Sequence, residues 1–206
     1  MQRAGHADSR RQATECSSVT FYQIIFGILF LAAFREFLRS VNDVNFAHIC
    51  ESTTLMLLVF SDVIYTSHVV EEKGRPYTLL MKFTDLGSFV LLSLAIFALD
   101  PTQHNLFQVQ AGPRLQKFNW IAIFWLLIVL YWSLLIVWNY FGKMYAALPG
   151  KWSWVQPPLI LLFLVMLAVA TLWPASAFAI LWRVWTVIVT ALYLGFYKPY
   201  VLNKMS

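Results

Sequence analysis

Charge is scarce in this chain, and acid most of all: Asp and Glu supply 10 of the 206 residues, Lys and Arg 15, together 12%. That is about half of what a soluble domain usually carries, so most of the chain has no means of building a hydrated surface. The surplus of five positive charges forms no Lys/Arg cluster that would make a phosphate-binding face, and direct nucleic-acid binding is not expected. Cysteine is limited to Cys16 and Cys50, too few for a disulfide framework.

Histidine is equally sparse. Of four, only His68 falls within an apolar run, so the two facing intramembrane ligands of a bis-histidine haem are missing. His68, Glu71 and Glu72 do not reproduce the His-Glu-x-x-His spacing that sets two ligands on one helical face, which argues against a metal. There is no Gly-x-Ser-x-Gly elbow and no phosphate-cradling glycine loop. Glu71-Glu72-Lys73-Gly74-Arg75 is one residue short of the Glu-Glu-x-x-x-Arg of CAAX-type intramembrane proteases, and no histidine occurs in the later runs. No enzymatic activity and no cofactor are expected.

What the chain has in abundance is hydrocarbon. Sixty per cent of its residues are hydrophobic, and mean hydropathy is +0.65. A membrane-crossing helix needs roughly 20 apolar residues, and runs of about that length lie at 19–38, 53–70, 77–99, 118–142, 155–173 and 175–197. The expected fold is all-α, a polytopic transmembrane bundle of six spans, with four or five if the first run or the last hairpin is misread. Residues 1–18 are polar and read as a disordered tail, and 198–206 as a short C-terminal tail. The first apolar stretch, Val19 to Phe34, is followed at once by Arg35, Glu36 and Arg39, which would have to snorkel to the interface. The last two runs are joined only by Trp173, Pro174, Ala175 and Ser176, which demands a tight antiparallel hairpin.

The basic residues predict an orientation. With the N-terminus inside, Arg3, Arg10, Arg11, Lys73, Arg75, Lys82, Lys143, Lys151, Lys198 and Lys204 lie on the inner side, against Arg35, Arg39, Arg114 and Lys117 outside. The bias puts both termini in the cytoplasm. Cys16 and Cys50 then lie on opposite sides and cannot pair.

The chemistry concentrates in the second run. Asp62 lies about 12 Å from its cytoplasmic end, at 1.5 Å per residue, and Asp85 has a similar depth in the third run. If these two helices pair about Lys73 and Gly74, Asp62 is level with Asp85, and Tyr65 with Lys82. Ser61, Tyr65, His68 and Glu72 follow i, i+4, i+7, i+11 spacing and share one face. Arg183 is also about 12 Å deep in the last run, near the Asp62 level. Two carboxylates, Asp62 and Asp85, with two cations, Lys82 and Arg183, would make a neutral cluster, as a low-dielectric interior demands.

Other patterns are weaker. Phe118, Trp125, Trp132 and Asn139 recur every seven residues, with Tyr131, Trp138 and Tyr145 alongside, as a packing surface or interface belt would. Residues 55–62 and 78–85 echo one another, each ending Phe-Ser/Thr-Asp. Phe60-Ser61-Asp62 resembles the Phe-Ser-Asp of a family of six-helix lysosomal and bacterial potassium channels. In that family the motif follows an arginine in the first helix, whereas here it lies in the second run and Met56 takes the upstream position.

Two functions fit. One is an ion or proton channel or transporter subunit, with Asp62, Tyr65, His68 and Glu72 on a hydrated half-pathway and Lys82, Asp85 and Arg183 setting the field. The other is a non-catalytic membrane sensor, anchor or scaffold whose buried charges form an ion network that fixes packing. Partners are the lipid bilayer, further copies of the chain in a homo-oligomer, and a cytoplasmic protein.

Overall fold

A computed structural model describes residues 3–67, 79–102, 119–141, 156–173 and 176–197. The described residues are all helical, with no strand: α1 (Arg3–Asn42), α2 (Phe46–Ser67), α3 (Leu79–Leu99), α4 (Trp120–Phe141), α5 (Gln156–Leu172) and α6 (Ala177–Leu192), the last running into a π-helical turn, Tyr193–Tyr197. Each apolar run of the sequence becomes one helix. Those in α3, α4 and α6 are long and apolar enough to cross a membrane, and α5 carries a shorter apolar helix.

Helix boundaries follow local chemistry. The chain is helical from Arg3, through most of the stretch expected to be a disordered tail. Three helices begin at one end of the bundle on side-chain caps. Asn45 accepts from the His48 amide, Asn119 from the Ala122 amide and Ser176 from the Ala179 amide, each satisfying an amide that the first turn leaves without an intrahelical partner. Asn119 also donates to the Ala170 carbonyl at 2.9 Å, tying the start of α4 to the end of α5.

The α1–α2 turn carries strain. Asn45 N donates to the Ser40 carbonyl and Val44 N to Val41, the paired bonds of a Schellman ending. Val44, with φ of 51°, holds the left-handed position that glycine usually fills. A β-branched side chain there costs about 1 kcal/mol or more. Val44 is 85% exposed and has little packing to lose. Val44→Gly is therefore expected to raise stability by about 1 kcal/mol, read as a higher thermal midpoint in detergent. A lower midpoint would mean that the strain is not relieved.

The helices close a ring, α1–α2–α6–α5–α4–α3 and back to α1, while α2 also touches α3 across it. Aromatic side chains fill the interior. Trp132 packs edge-on against Phe163 and Tyr193, and Trp125 stacks on Phe163. The aromatic stripe read in the fourth run is thus a packing surface at Trp125, Tyr131 and Trp132. Phe118 and Tyr145 lie outside the described residues.

The outside of the bundle is apolar. Along α6, Ala179, Arg183, Thr186 and Thr190 face inward, while Phe178, Leu181, Trp185, Ile188 and Leu192 are exposed. This reverses the amphipathicity of a soluble helix, which buries its hydrocarbon and wets its polar face. Ile24, Ile28 and Leu31 of α1, and Phe83, Leu86 and Val90 of α3, continue the apolar exterior. Such an exterior is compatible with a hydrocarbon surrounding.

Candidate functional site

Polar groups occupy the interior at three heights. At the end where α1 and α3 finish, Asp100 gathers cations from a neighbouring helix: Arg39 Nη1 lies at 2.8 Å and Arg35 Nη2 at 3.0 Å. Arg35 also grips the buried Glu36 at 2.6 Å. The arginines after the first apolar run therefore do more than snorkel, since both find a carboxylate across the α1–α3 contact. Burial opposes ionisation of Asp100, but the Thr102 hydroxyl and amide, together with Arg39, outweigh it and hold the carboxyl below its ordinary value of 3.8.

The sign of the pH effect follows. Asp100 is more acidic folded than unfolded, so its contribution is complete above pH 3.8 and is lost as pH falls through the lower folded value. The thermal midpoint is expected to show an acid limb below that pH, and Asp100→Asn to flatten it. An unchanged limb in the variant would show that other carboxyls set it.

Beside this network is a vestibule of about 60 Å³, lined by Glu36, Arg39, Ser40, Asp43, Asn45, His48, Ser52, Leu99 and Pro101. It has room for several waters. Its floor is a hydroxyl pair, Ser40 Oγ to Ser52 Oγ at 3.0 Å, joining α1 to α2. Both hydroxyls also bond carbonyls one turn back in their own helices.

Next to Ser52 is the second height. Glu51, with no exposed surface, receives Arg183 Nε at 3.0 Å, and the Arg183 side chain is 4% exposed. This pair corrects the sequence-based assignment of Arg183. Arg183 meets Glu51 of α2, because α2 begins at Phe46 and Glu51 lies within the helix instead of outside it. Glu51 Oε2 closes no hydrogen bond. The Trp125 indole N–H of α4 is directed at the carboxylate but stands beyond good geometry.

The third height is the Asp62 level. Asp62 of α2 and Asp85 of α3 are both buried, with Ser61, Thr84 and Ser88 around them. Both carboxylates converge on the Tyr131 phenol of α4, which is directed at Asp62 without a well-formed bond and feels the charge of Asp85. Asp62 and Asp85, expected at one level, thus both stand near Tyr131. The Phe-Ser/Thr-Asp echo has a like disposition in both helices, with Phe60 and Phe83 exposed and the following pairs buried. Lys82, half-buried, lies one turn from Asp85 along α3. Tyr65 is in α2, but its side chain, like His68 and Glu72, lies outside the described residues.

Eleven residues of α2 separate Glu51 from Asp62, about 16 Å of rise. That interval is filled by Leu55, Leu58 and Val59 of α2, Leu92 of α3 and Ile128 of α4, all without exposed surface. An apolar layer thus separates the Asp62 level from the Glu51–Arg183 pair.

Asp62, Asp85 and Lys82 all take part in polar or ionic interactions at this level, as buried charge requires. Among the described residues no group of three or more His, Cys, Asp or Glu is placed to hold a metal ion.

The sequence reading missed Glu51, Tyr131 and Asp100. The signal for Glu51 was Asn45, a capping residue that starts the helix six residues earlier. Tyr131 and Asp100 carried no local signal, because their partners are on other helices. No protein family, curated protein or solved structure matches the chain.

Proposed function

We propose that this chain is a multi-pass membrane protein, with six spans and both termini cytoplasmic, that moves protons or cations as a channel or transporter subunit. The observation that carries the reading is the pair of buried carboxylates, Asp62 and Asp85, gathered near the Tyr131 phenol deep in the bundle. Ionisable groups in a membrane interior are expensive and are kept where ions or protons pass. The vestibule and the Glu51–Arg183 pair give the opposite half of the route its polar groups. The layer at Leu55 and Leu58 acts as the barrier, since apolar constrictions gate by dewetting. Orientation rests on the Lys/Arg bias, and self-association on the small size of the unit.

One observation favours the second reading, a non-catalytic sensor, anchor or scaffold working with a cytoplasmic partner. That same dry layer interrupts the route, as it would in a bundle whose ion pairs only fix packing. Flux separates the two readings. Purified protein in liposomes, under imposed proton, sodium or potassium gradients, is expected to conduct, and Asp62→Asn to abolish conduction while remaining folded. A wild type that passes no ion over a range of pH and voltage would defeat transport and leave the scaffold.

A further inference from the structure

We propose that the vestibule at the α1–α2 turn is a binding site for a monovalent metal cation, with Glu36 Oε2 as its anionic ligand. The Glu36 side chain is 3% exposed and lines this cavity of about 60 Å³. Arg35 Nε and Nη2 both donate to Oε1, at 2.9 and 2.6 Å. Among the described residues Oε2 accepts no hydrogen bond, and it is not sealed off from the cavity. A carboxylate oxygen so placed lacks the partner that a nearly buried charge requires.

The rest of the lining selects the sign of the ligand. Ser40 and Ser52 own two hydroxyl hydrogens, and these are committed to carbonyls one turn back and to the 3.0 Å contact between the two oxygens. Toward the cavity both groups can only accept. Arg39, the guanidinium on the wall, is held by Asp100 at 2.8 Å and faces Asp43 at 3.8 Å. Arg35 is divided between Glu36 and Asp100, so two guanidinium groups serve three carboxylates. An anion here would face the Glu36 and Asp43 carboxylates, whereas a cation meets an open carboxylate oxygen and two hydroxyl acceptors.

Size and ligand number set the valence. At a share of about 30 Å³ for each water, the cavity takes a largely dehydrated ion with one or two waters. Calcium or magnesium takes about six oxygens, and among the described residues no group of three His, Cys, Asp or Glu is placed to hold such an ion. Sodium or potassium carries one charge and is served by one carboxylate with neutral oxygens. The ion's role as cargo held at one mouth of the route rests on the transport reading above; its binding does not.

The test is equilibrium binding of radioactive sodium, and of radioactive rubidium standing for potassium, to full-length protein in detergent, beside flux in liposomes. Wild type is expected to bind one of the two ions saturably, with displacement by the unlabelled salt and none by N-methylglucamine chloride, whose cation is too large for the cavity. Glu36→Gln keeps the side-chain shape, removes the charge and is expected to weaken binding at least tenfold, while Asp62→Asn leaves the Glu36-dependent component in place. Absence of saturable binding in wild type overturns the site whether or not any variant folds, and so does wild-type affinity in folded Glu36→Gln. Flux without this binding overturns the site and leaves the transport reading standing; binding without flux keeps the site and defeats transport.

Discussion

Arg183→Met is expected to lower the unfolding free energy by about 3–5 kcal/mol, the cost of leaving a buried carboxylate without its partner. Arg183 supplies the guanidinium at 3.0 Å from Glu51, and both side chains are sealed from solvent. Met matches much of the volume, so the loss isolates charge from packing. The cost arises from the stranded Glu51, and Glu51→Gln in the same chain should recover most of it. A double-mutant cycle on thermal or denaturant unfolding in detergent measures the coupling. If Arg183→Met is as stable as wild type, the pair does not hold α2 to α6.

Asp62→Asn should have the largest effect on function, with ion flux falling tenfold or more while the fold survives. Asn keeps the shape of the side chain and removes one charge. With Asp62 neutral, only one of the two buried carboxylates near Tyr131 can be ionised. A decade of flux corresponds to about 1.4 kcal/mol, well below what deleting a buried charge alters. Asp85→Asn is expected to act alike, since both carboxylates face Tyr131. Flux at the wild-type level in folded Asp62→Asn would remove this site from any conducting route, with initial rates in liposomes as the reading.

Much of the architecture was legible from the residues. The apolar runs, each long enough for a helix, correspond to α1 through α6. Counting along two antiparallel helices at constant rise per residue set Asp62 level with Asp85 as an expectation, and both carboxylates are buried near Tyr131. The second run was started at Thr53, where the polar residues Glu51 and Ser52 ended, although both are buried in a helix that begins at Phe46. Hydropathy alone places polar residues outside a span, and it cannot register that a partner on another helix makes them tolerable inside. That error moved Arg183 to the wrong carboxylate.

The sequence by itself determined the apolar helical runs, since these follow from spacing along one chain. Tertiary structure alone decided that Arg183 reaches Glu51, that Arg35 and Arg39 share Asp100, and that Tyr131 stands near both Asp62 and Asp85. Depth in a helix is a linear count. Which neighbour a side chain faces depends on how each helix is rotated about its own axis and where it sits in the ring, and packing among all six helices sets both.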